Sequence, residues 1–171
     1  TDRARWYRDG LPVNEVLAYL EHWRERFWLF HPAQPFMQVP ALAVADETRD
    51  RVKPWTQIAL ERASGNTPLV FDHSLDDDPR PVAAAAALCD LLGFLQFTPG
   101  GLVKVFRGSD KAGPLVNTAA VVPIAQTVAR SLLLGLHPSD RRSAVDLPAW
   151  EAPVVGIAGL QGEPEPATGP C

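Results

Sequence analysis

With 171 residues, 46% of them hydrophobic and 21% charged, the chain has the length and composition of one ordinary globular domain, which excludes wholesale disorder. Its formal net charge of −4, from 16 Lys and Arg against 20 Asp and Glu, excludes a free-standing DNA-coating protein, whose nonspecific affinity would come from neutralising phosphates. No run of about 18 apolar residues is present to span a bilayer, and the opening TDRARWYRDG lacks the hydrophobic core of a signal peptide; the expectation is a soluble, cytoplasmic protein without membrane contact.

Taken in chain order, apolar residues recur at helical spacing from Val16 through Leu17, Leu20, Trp23, Phe27 and Phe30. The spacing predicts one long amphipathic helix, capped by Asn14 and ended near His31-Pro32, because a residue before proline is driven out of the helical region. HPAQPFMQVPAL reads as extended, ordered loop, and residues 52–62 as a short helix. ASGNTPLVFDHSLDDDPRP is a long loop rich in turn formers, and loops of that length in a compact domain are usually functional or disordered.

PVAAAAALCDLLGFLQF predicts a second helix starting near Asp78 or Pro79. TPGGLVKVFRGSDKAGP follows as a flexible basic loop carrying Lys104, Arg107 and Lys111. PLVNTAAVV reads as a strand, and Pro123 opens a third helix, IAQTVARSLLLGL, stopped by His137-Pro138. The fold class expected from this pass is α/β mixed (α+β), irregular and loop-rich, with three main helices and a few strands. Thr1 in place of a starting Met, and a tail that ends without a closing element, suggest a truncated or processed chain. Cys89 and Cys171 have neither disulfide-framework nor metal-ligand spacing and are expected as free thiols.

Few residues carry recognisable chemistry. Ser64, Asp72, His73 and Ser74 include the types of a hydrolytic triad, but a triad needs nucleophile, base and orienter in hydrogen-bonded order, and no G-x-S-x-G elbow accompanies them. A small hydrolase using Ser64 and His73 therefore stands far behind other readings. Asp76, Asp77 and Asp78 read as a negative charge meeting the start of the second helix rather than as a cation site. His22 and His31 lack the further ligands of a metal centre; no metal and no cofactor are expected. Trp23, Phe27 and Phe30 read first as core, and Trp28, off the main apolar stripe, as the exception. From the residues alone Gly100-Gly101 is a helix-ending turn, or a place where backbone without side chains approaches a groove.

Six segments in order, FHPAQPFMQ (Phe30–Gln38), SGNTPLVFDHS (Ser64–Ser74), LLGFLQFTPGG (Leu91–Gly101), the NTA of LVNTAAV, the helix ending LLLGLHP and DLPAWE (Asp146–Glu151), resemble the large subunit of the type I-E CRISPR Cascade complex, the CasA family. The likeness runs from Trp23 to Glu151. It implies that residues 1–150 are part of an amino-terminal domain and 151–171 a Pro/Gly-rich linker or tail, expected disordered. It further implies a non-catalytic subunit that contributes to protospacer-adjacent-motif recognition in double-stranded DNA. Implied partners are the guide RNA, other Cascade subunits, the target duplex and a helicase-nuclease recruited by the full-length subunit.

Within that family a glycine loop, a lysine finger and a glutamine wedge approach the duplex from the minor groove. The resemblance assigns the glycine loop to Gly100 and Gly101, with Lys104, Arg107 and Lys111 as flanking phosphate contacts, and implies that the finger, the wedge and a carboxy-terminal helical bundle lie beyond Cys171. It also implies a docking loop containing Ser64, Gly65, Asn66, Phe71 and His73, which meets the guide-RNA 5′ handle end. The alternative reading is a structural scaffold or inactive remnant that retains protein docking only.

Overall fold

The chain is seen in a computed structural model that describes residues 2–64, 69–72, 76–100, 105–106, 112–136 and 147–162. Among them are five α-helices, α1 (Asp2–Asp9), α2 (Val13–His22), α3 (Ala84–Phe97), α4 (Val128–Gly135) and α5 (Ile157–Gln161), together with short 3-10 turns. No strand or sheet occurs among the described residues, so the expected α/β mixture is overturned and the described part is helical.

PLVNTAAVV illustrates why the strand expectation failed. Its start is a turn closed by Val116 N–H on the Gly113 carbonyl at 3.1 Å. The Thr118 hydroxyl donates to the Pro114 carbonyl at 2.8 Å, so a side chain takes the acceptor that a sheet ladder would use. Pro114 and Pro123 bracket the segment, and neither carries an N–H to donate.

The long first helix is also corrected. Helix α2 starts at Val13 behind Pro12, without a side-chain cap from Asn14, and ends at His22. Trp23 caps it by donating to the Tyr19 carbonyl at 3.1 Å, a 3-10 turn covers Arg24–Phe27, and Trp28 is extended. Val16, Leu17 and Leu20 of the expected core stripe are exposed. Ahead of it α1, too polar to announce itself by periodicity, is stopped by Gly10. That residue has φ +97° and donates to the Trp6 carbonyl at 2.9 Å, a left-handed terminus that glycine adopts without a Cβ clash.

Two further boundaries move. Helix α3 starts at Ala84, after Ala83, with no side-chain cap and no acidic residue in its first turn, so Asp76–Asp78 lie outside it. Helix α4 starts not at Pro123 but behind Thr127, whose hydroxyl accepts from Arg130 N–H at 3.3 Å; the threonine was the true start signal. Residues 52–62 hold only the 3-10 turn Trp55–Ile58.

The chain divides into two compact units. One comprises Thr1–Val39, Ala120–Val154 and Glu163–Cys171, and the other Pro40–Ala119 and Val155–Gly162. In the first, α1 packs on α4: the Arg130 guanidinium lies 5.4 Å from the centre of the Tyr7 ring and Arg3 Nη1 donates to the Leu136 carbonyl at 2.7 Å. In the second, α3 packs on the turn Trp55–Ile58, where Thr56, Ala59 and Ala87 are buried. No described helix is long and apolar enough to cross a membrane.

Candidate functional site

In the second unit, the segment read as a docking loop is anchored at both ends by one carboxylate pair. Asp76 accepts from the Thr56 hydroxyl at 2.6 Å and from the Ser64 hydroxyl at 3.3 Å, while Asp72 accepts from Ala63 N–H at 2.7 Å. Thr56 is buried, so the bond to Asp76 satisfies a hydroxyl that water does not reach. Between these anchors the chain presents Phe71, 92% exposed, beside exposed Leu69 and Val70. Gly65, Asn66 and His73 lie outside the described residues.

A second cluster supports the same base. Trp55 Nε1 donates to the Arg80 carbonyl at 3.0 Å, and the Arg62 guanidinium lies 5.1 Å from the centre of the Trp55 ring. Arg62 Nε is buried without a hydrogen-bond partner, 3.6 Å from Glu61 Oε1. Burial pushes the nearby Asp90 carboxyl above its ordinary value, Glu61 adds to the rise, and Arg62 partly opposes it.

Gly100 is exposed just after α3, whereas Gly101, Lys104, Arg107 and Lys111 lie outside the described residues. What is described is the stem of that loop. Gly113 N–H donates to the Thr98 carbonyl at 2.8 Å, and Leu115 N–H to the Gln96 carbonyl at 3.0 Å. The two arms of this stem meet so closely that a Cβ on Gly113 would lie 2.4 Å from the Gln96 carbonyl oxygen. The ends of the basic loop are therefore held together even though its sequence is rich in turn formers.

In the first unit, two segments far apart in sequence come together. Phe27, Phe36 and Trp150 form a ring cluster with centroids 5.5–6.0 Å apart. Trp150 Nε1 donates to the Tyr19 hydroxyl at 2.6 Å, and that hydroxyl donates to Glu151 Oε1. Arg26 Nη2 donates to the Ala149 and Ala152 carbonyls at 3.2 and 3.0 Å.

The FHPAQPFMQ loop itself is stapled. The Trp28 carbonyl accepts from Phe36 N–H at 3.0 Å, and His31 Nδ1 from Ala33 and Gln34 N–H at 3.2 and 2.9 Å. Gln38 Nε2 donates to the Leu29 carbonyl at 2.7 Å. An accepting Nδ1 assigns the imidazole proton to Nε2, the nitrogen 3.9 Å from Glu25. Sequence reasoning singled out the two segments but not their meeting; no local signal pairs Trp150 with Tyr19. Among the described residues no group of His, Cys, Asp and Glu is arranged to hold a metal ion.

The described part is thus a set of short helices joined by long segments held by side-chain and backbone hydrogen bonds. The model of the CRISPR-associated protein Cse1 family matches residues 1–170, and the chain belongs to that family. The CRISPR-associated protein CasA/Cse1 of Thermus thermophilus is 36% identical over 158 residues, covering 92% of this chain and 30% of its own length. The solved structure of Thermus thermophilus CasA (Cse1) superposes with a TM-score of 0.70 at 31% identity, over 94% of this chain and 31% of that one. A chain of the structure described as a CRISPR RNA-guided surveillance complex, pre-nicking, superposes with a TM-score of 0.67 at 32% identity, over 90% of this chain and 32% of its own. The chain thus spans about a third of the length of the relatives it matches.

Proposed function

We propose that this chain is part of a non-catalytic, cytoplasmic subunit of a CRISPR RNA-guided surveillance complex. In this reading Gly100 and Gly101 lay side-chain-free backbone against the minor groove beside the protospacer-adjacent motif, and Lys104, Arg107 and Lys111 neutralise nearby phosphates. The loop from Ser64 to Ser74 docks at the guide-RNA 5′ handle end of the complex, with Phe71 as its anchor. Other subunits, the guide RNA, the target duplex and a recruited helicase-nuclease are the partners.

The observation that carries the reading is membership of the Cse1 family along residues 1–170, with a relative's chain found in an RNA-guided surveillance complex. Two features add support. Hydrogen bonds from Gly113 to Thr98 and from Leu115 to Gln96 hold the two ends of the segment that carries the glycines together, and closing such ends in advance lowers the entropy lost on meeting a partner. An aromatic ring as exposed as that of Phe71, on a segment whose ends are anchored, suits insertion into a pocket.

The test uses the assembled complex. Gly101→Phe should weaken binding to duplexes bearing a good motif and leave pairing with single-stranded target intact, because a side chain at this position would push the backbone away from the groove. Lys104→Ala should instead lower affinity for all duplexes and flatten the salt dependence. Phe71→Ala should weaken assembly without lowering the subunit's own melting temperature. Full affinity and discrimination in Gly101→Phe would reduce these glycines to a turn and favour the scaffold reading.

A further inference from the structure

The first unit carries an apolar face that nothing described covers. On α4, Arg130 faces α1 through the Tyr7 ring, Leu133 is 1% exposed, and the Ser131 hydroxyl accepts from Ala125 N–H at 2.9 Å, tying the preceding segment to the helix. Val128, Leu132 and Leu136, at every fourth position, fall together on another face. Val128 is 77% and Leu132 62% exposed, and Leu136 is exposed as well. The segment leading into the helix carries further exposed apolar residues, Val121 and Ile124, 93% and 88% exposed. Solvated apolar surface of this kind costs about 25 cal/mol per Å² against burial, and soluble monomers rarely leave large apolar patches uncovered.

The shortage of core points the same way. Of the apolar side chains among the described residues, only Ala59, Ala87 and Leu133 are buried, although 46% of the chain is hydrophobic. A self-sufficient domain of this length buries well over half of the surface its unfolded chain exposes. The relatives that superpose on nearly all of this chain are about three times as long. Polypeptide tethered in the same subunit is present at an effective concentration that a separate partner cannot match.

We infer that the α4 face formed by Val128 and Leu132 is an intramolecular seam, covered in the whole gene product by apolar residues of the same polypeptide outside these 171. The inference rests on burial and does not depend on the proposed DNA contacts. A photo-crosslinking residue placed at position 132 of the whole gene product, purified free of partners, should give adducts whose peptides map outside residues 1–171. Adducts confined to residues 1–171, adducts formed only with other subunits after assembly, or a gene product ending with these residues would each overturn the seam. Independently, Leu132→Asp should lower the melting temperature of the free subunit by about 4 °C or more, while Val52→Asp, at an exposed position of the second unit, should leave it within about 1 °C. An unchanged melting temperature in Leu132→Asp overturns the seam as well.

Discussion

At Gly113 the requirement for glycine is one of space. A Cβ there would lie 2.4 Å from the Gln96 carbonyl oxygen, 2.6 Å from its carbon and 2.8 Å from the Leu95 carbonyl oxygen, all backbone atoms at the end of α3. Neither side of the contact yields by rotating a side chain. Gly113→Ala should therefore part the Thr98 and Gln96 hydrogen bonds and destabilise the fold by about 1–3 kcal/mol, measured as a lower denaturation midpoint with an unchanged m-value. Nothing in the local sequence distinguishes this glycine from its neighbours Gly108 and Gly101; the close approach is made by residues 17 positions earlier in the chain. Asp90 gives a second residue-scale prediction. Its carboxyl is held above the ordinary 3.8, by burial first and by Glu61 next, so the folded state binds its proton more tightly than the unfolded one. Between the unfolded value and the raised folded value stability falls as pH rises, and the penalty persists at neutral pH. Asp90→Asn should raise the melting temperature at pH 7 and flatten its decline on moving up from about pH 4; thermal melts across that range decide it, and an unchanged profile refutes it.

Elements show how far hydrophobic spacing reaches. Helices α3 and α4 fall inside stretches whose pattern announced them and α2 overlaps its own, starting ahead of Asn14 and ending well before Phe30, because starts and stops answer to capping rather than to periodicity. Thr127 rather than Pro123 opens α4, and Trp23 closes α2 although Phe27 continues the stripe. The turn at Arg24–Phe27 rotates Phe27 onto Phe36 and Trp150, and the Tyr19 hydroxyl links Trp150 to Glu151. Tyr19→Phe should leave the Trp150 indole N–H and the Glu151 carboxylate without that partner and cost about 1–2 kcal/mol, read by chemical denaturation. Trp150→Phe should cost a similar amount, and the double variant should cost less than the sum, since both remove the same link. Strict additivity would show that the hydroxyl and the indole do not act together.

For the whole molecule, charge sets one expectation that needs no fold. With a net charge of −4, its basic residues outnumbered by acidic ones, the isolated chain should bind duplex DNA no tighter than about the micromolar range at roughly 150 mM salt. A gel-shift titration showing submicromolar binding without partners would contradict it. Composition, the order of six short segments and the helix-forming stretches were legible in the sequence by itself, because each is a local property of residue types and their spacing. That information carried the family and the rough places of three helices. The absence of strands among the described residues was not legible: a run such as PLVNTAAVV has the composition of a strand whether or not a partner ladder exists, and here Thr118 and Gly113 close a turn instead. Nor could spacing reveal that Trp150 meets Tyr19, that Asp76 ties Thr56 to Ser64, or that the apolar stripe of α4 faces outward. Those facts are contacts between residues distant in the chain, and only tertiary structure decides which apolar face is covered and which carboxylate finds a donor.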